Sequence, residues 1–333
     1  MVSHISIIVV MAGFFGGLWY RDELELGFHG CTGSPSAINP IIPRVFLNMG
    51  NTCYFNSLLQ VLVHSKLFTQ AVLPIATEDM AETTRHEFLI KEWIDLLRDV
   101  NADSSSEIAP MNLFNAMSLW KPDLFLKGQG QDAHEVLTAV QTALAEAVSL
   151  VTGARFNLFD LSLTHPITCD ASANQVASNI ETETGLFLSP YGQPDGVSVS
   201  CLVEQYFALE IIDHLEACNG QSATRRAKLV SLPRILVLSV HRNIGPSSPK
   251  LLTSIKLDAN LYFSSFSEGS VSANYRLSGV VNHHGPNVDQ GHYKATIRVE
   301  EDWYEADDSV VTNLGELPEN SRNAVILTYE LVN

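Results

Sequence analysis

Residues 46–60 read FLNMGNTCYFNSLLQ, a polar turn followed directly by apolar residues at helical spacing. The apolar positions are Phe55, Leu58, Leu59, Leu62 and Val63. Asn51 and Thr52 stand just before this run, where helix-capping residues are favoured. The pattern predicts a helix that begins at Cys53.

A thiol at the first residue of a helix is a candidate nucleophile. Unpaired backbone N–H groups and the helix dipole stabilise a negative charge there, and such sites lower the pKa of a cysteine from about 8.5 to below about 7.5. A buried structural cysteine is the alternative interpretation of Cys53. A nucleophilic thiol also needs a base and a group that orients the base, and both must come from far downstream.

A predicted hairpin downstream supplies a histidine and an acid. His292 begins an alternating run, and a turn over residues 300–302 would return the chain antiparallel through Trp303. This pairing makes Asp307 the diagonal neighbour of His292 on the same face, within reach of its ring. Asp308 would point the other way unless the register slips by one residue. A purely structural histidine is the alternative.

The remaining sequence divides into a helical first half and a β-rich second half. Further helices are predicted over residues 88–97, 110–120 and 131–151, where apolar residues recur at helical spacing. Candidate strands, rich in β-branched residues, cover residues 205–212, 235–241, 275–282, 292–299 and 325–331. The chain is therefore expected to be an α+β protein.

The first 43 residues differ from the rest. Residues 1–20 contain no Asp, Glu, Lys or Arg, and they approach the roughly 20 apolar residues of a membrane span. They are a candidate membrane anchor; a buried strand or a stray upstream translated stretch are the alternatives. Residues 21–43 contain three prolines and are predicted to form a linker. The globular domain would cover residues 44–332, and a reduced Cys53 would place it on the cytosolic side, so the expected location is cytoplasmic, with or without the membrane anchor.

Charge and cysteine content limit the partners. The formal net charge is −17, and an acidic surface repels phosphate backbones, so we expect no nucleic-acid partner and favour a basic protein or peptide. The five cysteines are odd in number and widely spaced, without a CxxC pair. This argues against a disulfide framework and a zinc cluster, and it favours a reducing compartment.

Five ordered segments together resemble the ubiquitin-specific proteases. Residues 46–60 resemble their cysteine box, and residues 275–293 resemble their histidine box, which continues through Trp303, Asp307 and Asp308 to a closing strand. The segment 131–135 (QDAHE) is similar to a box on the family's helical subdomain, and 232–242 to the strand leading into its palm. The resemblance covers residues 44–332.

The resemblance implies a papain-like cysteine peptidase with a helical thumb, an antiparallel palm and short fingers, which cleaves after the C-terminal glycine of ubiquitin. It makes Cys53 the nucleophile, His292 the general base and Asp307 the orienting acid. Asn48 corresponds to the side chain of the oxyanion hole, a contribution of about 3 to 4 kcal/mol. The implied substrate-binding residues are Gln131, Asp132, Gly291 and Tyr293. Asp132 would bind the basic tail of ubiquitin.

The chain departs from the family pattern in its fingers and beside Gln131. Gly130 replaces a glutamine, which loosens one contact without touching the chemistry. Of the two CxxC pairs that often bind zinc in the family, only Cys169 and Cys218 remain, and two thiolates do not close a tetrahedral site. We therefore expect no zinc and no cofactor, with the fingers held by packing alone and ubiquitin held less extensively.

Three functions fit this reading. The first is a thiol-dependent deubiquitinase, for which every required side chain is present. The second is a catalytically silent ubiquitin-binding scaffold with an occluded or misaligned site. The third is a peptidase that acts on a ubiquitin-like modifier.

Overall fold

A computed structural model describes residues 42–332 except 76–83, 103–106, 170–174, 177–178, 220, 244, 246–248, 264–271 and 288–289. The helices in these residues are α1 (Cys53–Val63), α2 (Lys66–Val72), α3 (Arg85–Asn101), α4 (Met111–Ser118), α5 (Ala133–Thr152) and α6 (Val199–Tyr206). The first nine strands are β1 (Leu161–Thr164), β2 (Ile167–Cys169), β3 (Gln175–Val176), β4 (Glu181–Glu183), β5 (Leu186–Leu188), β6 (Val197–Ser198), β7 (Glu210–Leu215), β8 (Gln221–Arg225) and β9 (Lys228–Ser231). The others are β10 (Ile235–Val240), β11 (Ile255–Lys256), β12 (Asn260–Phe263), β13 (Ala273–His284), β14 (His292–Val299), β15 (Asp302–Asp307), β16 (Val310–Gly315), β17 (Asn320–Ser321) and β18 (Ala324–Val332).

The first five helices form the helical thumb, and local sequence signals set their ends. Thr84 and Glu87 form a reciprocal capping box at the start of α3. Asp132 caps α5, and Gly153 ends that helix in the left-handed conformation that glycine tolerates best. The helix predicted to begin at Cys53 is confirmed, and every residue of α1 is buried. Thr52 stands at its N-cap without a side-chain cap bond.

The palm is a twisted sheet in the order β16-β15-β14-β13-β18-β10-β5, with β12 also paired to β13. Its pairings are antiparallel except that of β5 with β10. Helix α1 packs directly on β13 and β14. Gly279 permits this approach, because a Cβ built there would lie 1.8 Å from Val61 Cγ1. The expected α+β architecture of thumb and palm is thus confirmed.

The fingers correct one expectation. Their four-stranded sheet, in the order β3-β2-β8-β7, contains a disulfide between Cys169 and Cys218, whose Cα atoms are 5.5 Å apart. The expectation that packing alone holds the fingers is therefore wrong. The two cysteines are 49 residues apart in sequence, and only the antiparallel pairing of Cys169 with Ala223 brings them together. With Ala223 they form the small buried core of this sheet.

Some predicted elements differ from the observed ones. The strand predicted over residues 205–212 is wrong at its start, because α6 extends to Tyr206 and β7 begins at Glu210. Helices α2 and α6 were not predicted, since α2 has only seven residues and the end of α6 overlaps the run assigned to a strand. The strand predicted at 292–299 is confirmed to the residue.

The candidate membrane anchor at residues 1–20 lies outside the described residues, as does the linker up to residue 41. Among the residues that are described, α5 alone is long and apolar enough to cross a membrane, and half of it is buried. It packs against α1 and α3, as a core helix of the thumb does.

Candidate active site

Cys53 opens α1, and the residue is only 9% exposed. Burial is the largest influence on its thiol and raises the pKa, and the charge of Asp308 raises it further. The backbone N–H groups of Tyr293, Tyr54 and Cys53 itself lower the pKa, but by less. The expectation of a strongly lowered thiol pKa is therefore wrong. The helix terminus acts as predicted, but desolvation of the thiolate outweighs it.

His292 and Asp307 form the predicted pair. The Nε2 atom of His292 lies 2.5 Å from Asp307 Oδ1, with both side chains partly exposed. The strands pair Val299 with Asp302 and Ala295 with Ala306, which is the register expected from the sequence. An Nε2–H that donates to Asp307 leaves Nδ1 with the lone pair, so the ring can accept a proton there.

Asp307 is kept ionised by its neighbours. Burial raises its pKa, but hydrogen bonds from His292 and Lys294 together lower it below the ordinary value. The ammonium Nζ of Lys294 lies 3.0 Å from Asp307 Oδ2 and 3.2 Å from Glu305 Oε1. Asp307 thus uses one carboxylate oxygen for the histidine and the other for the lysine.

Asp308 has a different set of contacts. Its backbone is left-handed, with φ of 50° just beyond β15. Its Oδ2 accepts a hydrogen bond from Asn48 Nδ2 at 2.8 Å, and its Oδ1 accepts one from Asn56 Nδ2 at 2.8 Å. The carboxylate therefore points towards the start of α1, and one of its oxygens still lies within 4.8 Å of a ring nitrogen of His292, closer than the hairpin alternation predicts.

The loop before Cys53 and the carboxylate of Asp308 together orient the Asn48 amide. Asn48 Oδ1 accepts hydrogen bonds from the backbone N–H of Gly50 at 2.9 Å and of Thr52 at 3.2 Å. Gly50 has φ of 103°, a conformation that favours glycine. The amide oxygen is thus held by the loop, and the NH2 group points towards Asp308.

The predicted substrate-binding residues surround this centre. Asp132 Oδ1 accepts from the backbone N–H groups of His134 and Glu135, at 2.8 and 3.1 Å, so that the carboxylate caps α5 while remaining exposed. The Nε2 of Gln131 contacts the carbonyl oxygen of Asp123 at 3.4 Å. Their roles in substrate binding remain predictions.

Gly291 and Tyr293 flank His292 and both contact His283. A Cβ on Gly291 would lie 2.3 Å from His283 Nε2, so only glycine fits. The ring centroids of Tyr293 and His283 are 4.5 Å apart. The Tyr293 side chain is buried, and the N–H of Ala133 at the start of α5 points at its hydroxyl. Tyr293 therefore joins the thumb to the palm beside Cys53.

Sequence reasoning missed Lys294, Glu305 and Asn56. The signal for Lys294 was present, because the predicted hairpin register places it directly opposite Asp307. Asn56 carried no comparable signal, since an asparagine inside an apolar helix reads only as a polar interruption.

Three atoms of metal-ligand type, one each from His292, Asp307 and Asp308, lie within 4.8 Å of one another. Their carboxylates already accept hydrogen bonds from His292, Asn48 and Asn56. We therefore interpret these residues as a proton-transfer and hydrogen-bonding centre.

Comparisons with known proteins identify the family of the chain. The family model described as ubiquitin carboxyl-terminal hydrolase matches residues 45–329. Ubiquitin carboxyl-terminal hydrolase 20 of Arabidopsis thaliana is 25% identical over 91% of this chain and 45% of its own length. Ubiquitin carboxyl-terminal hydrolase 8 of Saccharomyces cerevisiae is 24% identical over 86% of this chain and 70% of its own length.

The solved structures include the SAGA Ubp8/Sgf11/Sus1/Sgf73 DUB module bound to ubiquitin aldehyde, which has a TM-score of 0.76 and 21% identity over 91% of this chain and 72% of that chain. This likeness confirms the fold. The chain spans about half or less of the length of the first plant relatives it matches. By the family match over residues 45–329, the chain belongs to the ubiquitin carboxyl-terminal hydrolase family.

Proposed function

We propose that the chain is a thiol-dependent deubiquitinase that hydrolyses the bond after the C-terminal glycine of ubiquitin. One observation carries the proposal: Cys53 begins a buried helix that packs on β14, while His292 begins β14 with its Nε2 on Asp307. The backbone N–H of Tyr293, the next residue, points at the thiol. Nucleophile, base and orienting acid are thus held on two packed elements.

Burial raises the pKa of the Cys53 thiol, so the free site holds the protonated thiol. Attack on the substrate carbonyl forms the C–S bond as the thiol proton passes to His292 Nδ1. The departing amine takes that proton when the C–N bond breaks. Water then attacks the thioester, gives a proton to His292 and releases the carboxylate and the thiol.

The oxyanion of each tetrahedral intermediate needs donors near Cys53. The Nδ2 group of Asn48 is held by Asp308 at 2.8 Å, and the backbone N–H groups at the start of α1 lie beside the sulfur. Such preorganised donors stabilise the developing charge without reorganisation during the reaction.

Ubiquitin as the substrate is supported by the family match and by acidic groups near the site. Two similar solved structures are a DUB module bound to ubiquitin aldehyde and one bound to monoubiquitin. In this chain, the exposed carboxylate of Asp132 is suited to a basic peptide tail. The overall net charge of −17 favours a basic partner in the same way.

Hydrolysis of a fluorogenic amide at the C-terminus of ubiquitin tests the proposal. The chain should release the fluorophore, and Cys53→Ala should be inactive with its fold intact. The same fluorophore on a ubiquitin-like modifier should turn over far more slowly. No hydrolysis by the parent chain, or more than about one per cent of parental turnover in Cys53→Ala, would contradict it, since loss of a covalent nucleophile removes orders of magnitude in rate.

A further inference from the structure

Lys294 directly faces the predicted catalytic acid across two neighbouring strands. The pairs Thr296–Glu305 and Ala295–Ala306 define the register, which places Lys294 opposite Asp307. The Lys294 ammonium contacts Asp307 Oδ2 at 3.0 Å and Glu305 Oε1 at 3.2 Å. It is therefore positioned between two carboxylates of the same strand and is only 25% exposed.

The two oxygens of Asp307 have separate partners. Oδ1 contacts His292 Nε2 at 2.5 Å, and Oδ2 contacts Lys294. A carboxylate with one partner can rotate and offer either oxygen, whereas two partners on opposite oxygens fix its plane. The orientation of His292 thus depends on a lysine that does not touch the ring nitrogen.

We propose that Lys294, braced by Glu305, is a positioning residue that fixes the Asp307 carboxylate on His292. This inference rests on the proposed deubiquitinase function for its catalytic consequence. Strand β14 would then carry two functional side chains on one face: His292, the base, and Lys294, which positions the acid Asp307.

The surrounding strands provide no substitute for the ammonium among the described residues. On β13, uncharged Asn282 pairs with Lys294, and His284 pairs with His292. Burial, followed by the charge of Lys294, lowers the pKa of His284, so His284 is neutral near pH 7. On β16, Asp307 pairs with Val310 and Glu305 with Thr312.

Asp308, the remaining acid at this end of the sheet, is directed to Asn48 and Asn56 instead. An ordinary exposed cross-strand ion pair would contribute little to stability. The contact of Lys294 with Asp307 differs from such a pair because it acts on the Asp307 carboxylate. The hydrogen bond from Lys294 is one of the causes that lower the Asp307 pKa.

The test is the pH dependence of ubiquitin-amide hydrolysis by Lys294→Met, which keeps the apolar stem and removes the charge. Losing this hydrogen bond raises the Asp307 pKa, which in the parent lies below its ordinary value of about 4, so the acidic limb of kcat/KM should fall off more steeply below a pH of about 5. At neutral pH, kcat should fall about tenfold with KM unchanged, less than the loss of general-base catalysis itself. Lys294→Arg should restore most of the activity and the parental limb. Lys256→Met, an exposed change on β11, is the matched control.

A parental pH profile in Lys294→Met would overturn the inference, as would a loss that is equal at every pH and not restored by arginine. If the parent chain hydrolyses no ubiquitin amide, the proposed function has failed. The positioning role of Lys294 is then tested by the tautomer of the His292 ring. Nitrogen-15 NMR of the histidine side chains should show a single Nε2–H tautomer in the parent and a mixture in Lys294→Met. One unchanged tautomer in both would reject the role of Lys294.

Discussion

Asp308 Oδ2 lies 2.8 Å from Asn48 Nδ2, so the second of two consecutive aspartates holds the predicted oxyanion donor while the first holds the base. The division follows from the backbone. Asp307 ends β15, and Asp308 adopts a left-handed conformation with φ of 50° that turns its carboxylate towards α1. Adjacent carboxylates thereby hold two different side chains of the candidate site.

Asp307→Ala and Asp308→Ala should therefore fail in different ways. Asp307→Ala removes the group that orients His292, and we expect kcat to fall by at least about a hundredfold. Asp308→Ala releases Asn48 and Asn56, and we expect a smaller fall, about tenfold, through weaker oxyanion stabilisation. Steady-state kinetics of both variants measure this. Equal losses would mean that the two carboxylates share one role.

The titration of Cys53 gives a second prediction. Burial and the charge of Asp308 raise the Cys53 pKa, so alkylation by iodoacetamide should be slow at neutral pH. The alkylation rate should still increase above a pH of about 8.5, the ordinary thiol pKa. Asp308→Asn removes one raising influence, so the inflection should move to lower pH. Asp302→Asn, at the far end of β15, is the control. A rate that is already maximal at pH of about 7 would show that the thiolate is preformed.

Gly279 gives a prediction about the placement of the nucleophile. Gly279→Ala directs a methyl group at Val61 Cγ1, 1.8 Å away, and overpacking of this kind costs about 1 to 3 kcal/mol. Helix α1 should shift away from the sheet, lowering both the melting temperature and kcat. Val61→Ala in the same chain should restore part of each. Gly130→Ala, which meets nothing within 4 Å, should change neither.

The Cys169–Cys218 disulfide makes the fingers sensitive to reductant. The bond closes a span of 49 residues, for which the chain-entropy model gives about 4 kcal/mol as an upper value. Cys169→Ser or added dithiothreitol should lower the melting temperature, whereas chelators should leave it unchanged. Cys201→Ser, at an exposed free cysteine, serves as the control. One zinc ion per chain by elemental analysis would contradict the assignment of a disulfide.

The elements with long periodicity could be predicted from the sequence. The start of α1 at Cys53 follows from an uninterrupted apolar stripe, and the β14–β15 register follows from strict alternation about a short turn. That register was sufficient to place Asp307 beside His292. Both features are local in the chain, and local patterns are what sequence records most directly.

Features that depend on distant segments could not be predicted in this way. The contacts of Asp308 with Asn48 and Asn56 join residues 260 and 252 positions apart. The disulfide likewise depends on how β2 pairs with β8. The raised pKa of Cys53 depends on how deeply the sheet buries α1, whereas the helix terminus alone predicted the opposite direction.

The most direct test of the deubiquitinase proposal is the intact mass of the full chain after incubation with ubiquitin that carries an electrophilic group at its C-terminus. We expect the mass to rise by one ubiquitin within minutes, peptide mapping to place the bond on Cys53, and Cys53→Ala to stay unmodified. A ubiquitin-like modifier with the same electrophile should react far more slowly. A parent chain that binds ubiquitin without forming the adduct would contradict the proposal and indicate a silent scaffold, and faster reaction with the modifier would assign a different substrate.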